Sequence, residues 1–260
     1  MIKMEALNKM IKINIDTLDK NSPIPLYFQL EEILKERIEA GELQPGDLLS
    51  SEKELSEKYQ ISRPTIRQAL RGLVNEGLLY RAKGKGTFIA KPKIDYGFIQ
   101  RLTTFYDDMI EKGYTTKTKV LKQEIKEVRG AIAKKLNIPK GEKIIFLHRI
   151  RSVENEPVVS VMNFIPYKLC PDLINEDLEN KSLYRMLINN YELKPYRAEI
   201  TLEPIVAEEY DSQILKIKLG APMQLMQNIT YTKDNIAMDY FESRFRGDKG
   251  KVRVVLYNEI

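Results

Sequence analysis

Three arginines, Arg63, Arg67 and Arg71, recur at every fourth residue of ISRPTIRQALRGLVNEG. In a helix that spacing places three guanidiniums on one face. Each can bind guanine O6 and N7 through two parallel bonds, or grip a phosphate. A charged stripe of this kind is also the ordinary solvated face of many helices. A second pair, Arg149 and Arg151, stands two residues apart in FLHRIRSV, so on a strand both point to the same side of a sheet. Two guanidiniums there require anions, either as salt bridges to nearby acids or as a clamp on the phosphate or carboxylate of a small ligand. Other chemistry is thinly supplied. The chain has one histidine, His148, and one cysteine, Cys170, which excludes a zinc site of several histidines or four cysteines within one chain. No nucleophile elbow accompanies His148 and no paired carboxylates stand out, so no catalytic residue, metal or cofactor is expected.

The arginine row needs a helix with an apolar back. Ile66, Ala69, Leu70, Leu73 and Val74 supply it at helical period. Ser62 is a good N-cap, Pro64 falls in the first turn where its missing N–H costs little, and Gly77 is a C-terminal stop. Upstream, Ser51-Glu52-Lys53-Glu54 has the capping-box pattern and opens a helix through Tyr59. The link Gln60-Ile61 is short, so two helices with the second one basic match helix-turn-helix spacing. Before them, Leu26, Leu30, Ile33, Leu34 and Ile38 predict a helix within Pro23–Ala40, and Leu43–Leu49 reads as a turn around Pro-Gly. After them, Leu78–Arg81 and Thr87–Ala90 flank the tip AKGKG and predict a β-hairpin. A basic, glycine-bearing hairpin can enter a minor groove or rest on phosphates, although Gly and Lys are also usual at any exposed tip. The charge is concentrated here. Between Ile61 and Lys93 eight basic residues face only Glu76, a net +7, whereas the whole chain carries +5. Such a patch marks a polyanion partner.

These residues carry a family resemblance. The stretch over residues 22–91, with P-L-Y, P-G-D, S-E-K-E-L, S-R-P-T-I-R-Q-A-L, N-E-G-L-L and G-K-G-T-F, resembles the winged-helix head of GntR-family bacterial transcription regulators. The resemblance implies double-stranded operator DNA as a partner. Arg63 and Arg67 match the recognition-helix arginines, Lys53 stands where many members have Arg, and Gly84 matches the wing-tip glycine placed in the minor groove. Thr65, Arg71, Lys83 and Lys85 complete the expected DNA-binding set, with the helix-turn-helix at about residues 51–70.

Residues 92–97 read as a linker, and residues 1–21 as an arm in which Ile11, Ile13 and Ile15 alternate. The remainder alternates between helical and strand patterns. Helices are expected over Leu102–Lys112, Arg129–Leu136 and Ser182–Asn190. Strands are expected over Lys117–Val128, Ile144–Val153, Pro157–Ile165, Ala198–Pro204, Met223–Tyr231, Ala237–Arg246 and Val252–Tyr257. Several hairpins in such a mix argue an α+β domain on a mostly antiparallel sheet. Residues 98–257, through LTTFYDDMIEKGY, LHRIRSVENEPV, FIP, KSLY and DYFESRFRGD, resemble the effector-binding UTRA domain of the HutC-like branch, which shares the chorismate-lyase fold.

In sugar-phosphate-responsive relatives the matching positions line a pocket. Here they hold Thr104, Arg149, Arg151, Ser182 and Asp239, with Tyr184 available to stack on a sugar ring. Three positions depart from the pattern: Asp239 replaces a Glu, Phe245 replaces an aromatic hydroxyl, and Val161 replaces an acid. A site that has lost a hydroxyl rejects or re-ranks ligands that needed it. The resemblance thus implies a dimeric regulator, most naturally a repressor, released from a palindromic operator by a small anionic metabolite such as a sugar phosphate. A chorismate-lyase-like enzyme tethered to DNA and a non-specific architectural DNA binder are the competing readings. At 260 residues the chain has room for two domains, and 43% apolar with 30% charged residues describes a globular protein. A single cysteine, charges in the opening MIKMEALNKM and no apolar run near the ~20 residues of a membrane span lead to a cytoplasmic expectation.

Overall fold

The computed structural model describes residues 17–95 and 105–255. It divides into two compact units, Met1–Lys93 and Ile94–Ile260.

The first unit contains α1 (Leu26–Glu39), α2 (Glu52–Tyr59), α3 (Arg63–Asn75), β1 (Leu79–Ala82) and β2 (Gly86–Ile89). Its core is the set of apolar stripes read at helical period. Leu30, Ile33 and Leu34 of α1 pack with Leu55 of α2 and with Ile66, Leu70 and Leu73 of α3. The local signals explain the boundaries. Ser51 and Glu54 form both halves of a capping box, and the Ser62 hydroxyl accepts from the Thr65 backbone N–H at the start of α3. Gly72 lies inside α3, where glycine weakens a helix. A Cβ at that position would lie 2.1 Å from Glu31 Oε1, so the missing side chain lets α1 and α3 close together. β1 and β2 form the antiparallel hairpin, from Leu79 opposite Ile89 to Ala82 opposite Gly86. Residues 17–21 are tied to α1 through Gln29, whose amide oxygen accepts from Asp19 N and whose nitrogen donates to Asp19 O and Ile24 O. The alternating isoleucines at 11–15 lie outside the described residues.

The second unit is built on one antiparallel sheet of six strands. They are β4 (Thr116–Glu127), β5 (Lys143–Val153), β6 (Glu156–Pro166), β7 (Arg197–Val206), β8 (Pro222–Tyr231) and β9 (Ala237–Arg246), in the spatial order β4-β5-β6-β9-β8-β7. Apolar residues of α4 (Phe105–Glu111) and α6 (Leu183–Tyr191) pack on one face, with Val159, Ile145 and Leu147. Those of α5 (Gly130–Lys135) and α7 (Glu209–Leu215) pack on the other, with Tyr240 and Ile150. The outer edge of β4 is covered by a loop, in which Asn180 Oδ1 accepts from Thr118 N and Glu179 Oε1 from Val120 N. Covering an edge in this way blunts unwanted strand pairing.

Three sequence expectations change. Val252–Tyr257 was expected as a strand, but residues 252–255 are irregular; the strand there is β10 (Gly250–Lys251), parallel to β3 (Ile94–Asp95). An alternating pattern forms a strand only where a partner edge is available, and the edge here meets residues 250–251. For the same reason residues 94–95, inside the expected linker, are paired. Helix α7 was not expected. It opens on a capping box of Glu208 and Asp211 rather than Ser or Thr with Glu, and its seven residues are too few to display a period.

Leu70 is 1% exposed at the crossing of the three helices of the first unit. Leu70→Ala should cost about 2–5 kcal/mol, read as an earlier urea transition of that unit.

Candidate nucleic-acid interface and ligand pocket

On the first unit the apolar and basic sides of α3 separate as its period requires. Ile66, Ala69, Leu70 and Leu73 are buried, while Arg63, Arg67 and Arg71 are exposed. Thr65 is half-buried, with its Oγ1 2.8 Å from Ser62 Oγ, so it belongs to the cap of α3. Lys53 is exposed on α2 and lies 3.9 Å from Glu57. The wing tip carries Lys83, Gly84 and Lys85, all exposed. Gly84 adopts φ +73° with nothing within 4 Å of its absent Cβ, so backbone conformation rather than crowding favours glycine there. The guanidiniums of α3 are not equivalent. Arg67 donates from both Nε and Nη2 to Glu52 Oε2, at 3.2 and 3.1 Å, and Arg81 of β1 lies 3.6 Å from the other oxygen of Glu52. Sequence reasoning gave Glu52 no role on this face.

On the second unit the site lies on the face of the sheet that α6 covers. Arg149 and Arg151 share that face by strand parity, and Asn163 joins them because β6 runs in register, with Val161 opposite Arg149. Asp239 reaches the same face by parity along β9, two residues before Phe241, which lies opposite Asn163. Thr230 pairs with Asp239 but Tyr231 pairs with Ala237, so Met238 is the extra residue of a bulge. Bulges of this kind re-aim a side chain, and here the one turned to the other face is Ala237. A second bulge, at Leu121, lies beside Arg149, where Val120 faces Arg149 and Lys122 faces His148.

The resulting cluster is buried and continuous. Arg149 is 1% exposed and Asp239 is 0% exposed. The Asn163 amide bridges them, accepting from Arg149 Nη2 at 3.2 Å and donating to Asp239 Oδ2 at 2.8 Å. The Tyr184 hydroxyl, from α6, donates to the same Oδ2 at 3.1 Å and lies 2.9 Å from Thr230 Oγ1, which donates to Asn228 Oδ1. Among the described residues Arg149 Nε and Nη1 and Asp239 Oδ1 have no hydrogen-bond partner. Burial and then neighbouring Arg151 disfavour the charge of Arg149, with Asp239 opposing them. Burial likewise raises the Asp239 carboxyl to about 7, against its bonds from Asn163 and Tyr184 and the charge of Arg149.

The structure therefore brings Arg149, Asp239 and Tyr184 together, with Arg151 near enough to Arg149 for their charges to oppose each other. The Arg151 guanidinium lies 5.6 Å from the Phe105 ring centroid of α4. Ser182 is buried as the N-cap of α6, its hydroxyl accepting from Arg185 N. Phe245 packs in an apolar cluster with Val159, Val161 and Met226. Thr104 lies outside the described residues. Asn163, Asn228 and Thr230 were missed, because a neutral polar residue on a strand gives no sequence signal until its partner across the sheet is known. The described residues contain no group of three or more His, Cys, Asp or Glu able to hold a metal, and no helix among them is long and apolar enough to cross a membrane.

A basic winged helix-turn-helix followed by a sheet with a buried, incompletely bonded Arg–Asp pair is the architecture of a DNA-binding regulator that answers to a small ligand. Residues 26–89 match the model of the bacterial regulatory proteins, gntR family, and residues 111–251 match the UTRA domain. The chain belongs to the GntR family, in its HutC-like branch. It is 38% identical over 232 residues to the HTH-type transcriptional repressor NagR of Bacillus subtilis (strain 168), across 89% of this chain and 95% of the relative. It is 29% identical over 231 residues to the mannosyl-D-glycerate transport/metabolism system repressor MngR of Escherichia coli (strain K12), with the same coverage of 89% and 95%. In fold it is similar to PhnF from Mycobacterium smegmatis, with a TM-score of 0.62 at 22% identity over 88% of this chain and 99% of that one. This is a family of transcription regulators, so the reading as a tethered lyase is set aside.

The raised carboxyl of Asp239 has a consequence for stability. A group that ionises near 3.8 when free and near 7 when folded keeps its proton longer in the native state. The native state then binds more protons between those values, so this contribution to stability falls as pH rises from about 4 to about 7. Asp239→Asn should be free of that slope. Its stability relative to the wild type should grow from about pH 4 to about pH 8, measured by urea denaturation at both ends.

Proposed function

We propose that the chain is a repressor that binds a palindromic operator as a homodimer and lets go when a small phosphorylated sugar or similar anion enters the pocket of the second unit. The Arg149 guanidinium carries this reading. A buried cation with two of its nitrogens unbonded is costly unless an anion completes it. Arg149, with Arg151 beside it, suits the phosphate, and Oδ1 of Asp239 is an acceptor for a sugar hydroxyl. The name of the Escherichia coli relative refers to mannosyl-D-glycerate, which supports a sugar derivative as the ligand. On the first unit Arg63 and Arg67 would read base edges, Arg71, Lys53, Lys83 and Lys85 would hold phosphates, and Gly84 would let the wing approach the minor groove. A two-fold dimer of such heads reads two related half-sites, and a ligand releases DNA only if it favours a head arrangement that fits them badly.

A thermal-shift series with hexose 6-phosphates, amino-sugar 6-phosphates, the unphosphorylated sugars and inorganic phosphate tests the pocket. A fitting phosphorylated sugar at a hundred times its Kd should add about 2.7 kcal/mol to stability and raise the melting temperature. Arg149→Met should lose that rise. A rise that persists in Arg149→Met, or none with any phosphorylated sugar, refutes the assignment. For the DNA face, Arg63→Ala should cost about 1–3 kcal/mol on a duplex enriched from a random pool and relax the preference at one position of each half-site. Enrichment of no palindrome at all would favour an architectural binder.

A further inference from the structure

Glu52 bridges two basic elements of the proposed DNA face. It opens α2, and its two oxygens meet Arg67 of α3 and Arg81 of the wing strand β1. Arg67 is held through Nε and Nη2 on a single oxygen at 3.2 and 3.1 Å, which fixes the plane of the guanidinium and leaves Nη1 outside that contact. The side chains of Glu52, Arg67 and Arg81 are 30%, 53% and 48% exposed. Ion pairs this exposed add little stability, so holding the fold together is a poor account of the contact. Its position suggests another. Arg63, Arg71, Lys83 and Lys85 are also exposed and positive, and a carboxylate among them repels phosphate. A duplex that binds by charge alone would have to approach this acid and pull Arg67 and Arg81 from it. A duplex that offers Arg67 a base edge can use the guanidinium in the plane Glu52 already sets, since pre-set geometry lowers the entropy lost on binding.

We propose that Glu52 is a positioning residue for DNA readout: it orients Arg67, restrains Arg81, and lowers the affinity for duplexes of the wrong sequence, so that discrimination rises. The proposal rests on α3 and the wing being the DNA face.

The full chain and its Glu52→Gln variant are titrated into a fluorescein-labelled duplex pool of random sequence over a series of salt concentrations, followed by anisotropy. The same pool is then enriched on each protein and sequenced. Gln keeps the size of Glu and one acceptor oxygen but removes the charge. Glu52→Gln should bind the unselected pool about 3–10-fold tighter. Its plot of log K against log salt should steepen by about 1–2, since each further phosphate neutralised adds about 0.9. Its enriched motif should be flatter at the positions that depend on Arg67, and adding Arg67→Ala should remove most of the gain in affinity. Glu52→Asp, which keeps the charge, should restore part of the discrimination.

A Glu52→Gln protein that binds the pool no more tightly, or binds it more tightly with an unchanged motif, overturns the proposal. So does uniformly weaker binding with a lowered melting temperature, which is the signature of a merely structural contact. Lys85→Ala reports on the underlying face independently. It should weaken the pool and flatten the salt dependence, and if it does neither, the assignment of the DNA face falls and the role of Glu52 with it.

Discussion

Arg149 brings a positive charge to a place almost closed to solvent, and much of the second unit is arranged around making that tolerable. Val120 and Val161 flank it on the neighbouring strands, so neither side offers compensation. What compensation exists runs through Asn163, whose amide is engaged at both ends, to Asp239 and then to Tyr184 and Thr230. Ordered polar chains of this kind are rigid when complete and expensive when partly complete. Here the chain ends in open valences on the arginine and the aspartate, and the fold holds that strain within a sheet closed by helices on both faces.

The first unit uses the same residue type in the opposite way. The arginines on the basic side of α3 stand in solvent, where salt screens charges beyond about 8–10 Å, and among the described residues only Arg67 of these is held there, by Glu52. Their placement depends on the buried side of the helix that carries them. Leu70 and Leu73 fix the rotation of α3, and Gly72 lets α1 approach it closely. One chain thus contains an arginine chemistry governed by ionic strength and another governed by desolvation.

How much of this was legible in the sequence follows from which interactions are periodic. The two sides of α3, the capping box at Ser51 and the hairpin from Leu79 to Ile89 repeat or sit at fixed offsets, and each stands where its pattern places it. Parity along β5 was enough to put Arg149 and Arg151 on one face. It could not reveal Asn163, because that depends on the register between two strands, nor the Arg67–Glu52 contact, because fifteen residues separate the partners. The short α7 and the pairing of residues 250–251 with 94–95 likewise depend on neighbours distant in the chain.

The bulge at Met238 marks where the regular alternation of β9 begins. Side chains alternate along a strand, so the one inserted residue sets which way Ala237 points relative to Asp239 and the residues after it. Straightening the bulge would leave Asp239, Phe241, Ser243 and Phe245 on their shared face and turn Ala237 toward that face as well. A residue gained or lost between Asp239 and Phe245 would instead split that shared face, so this stretch can exchange side chains but cannot change its length.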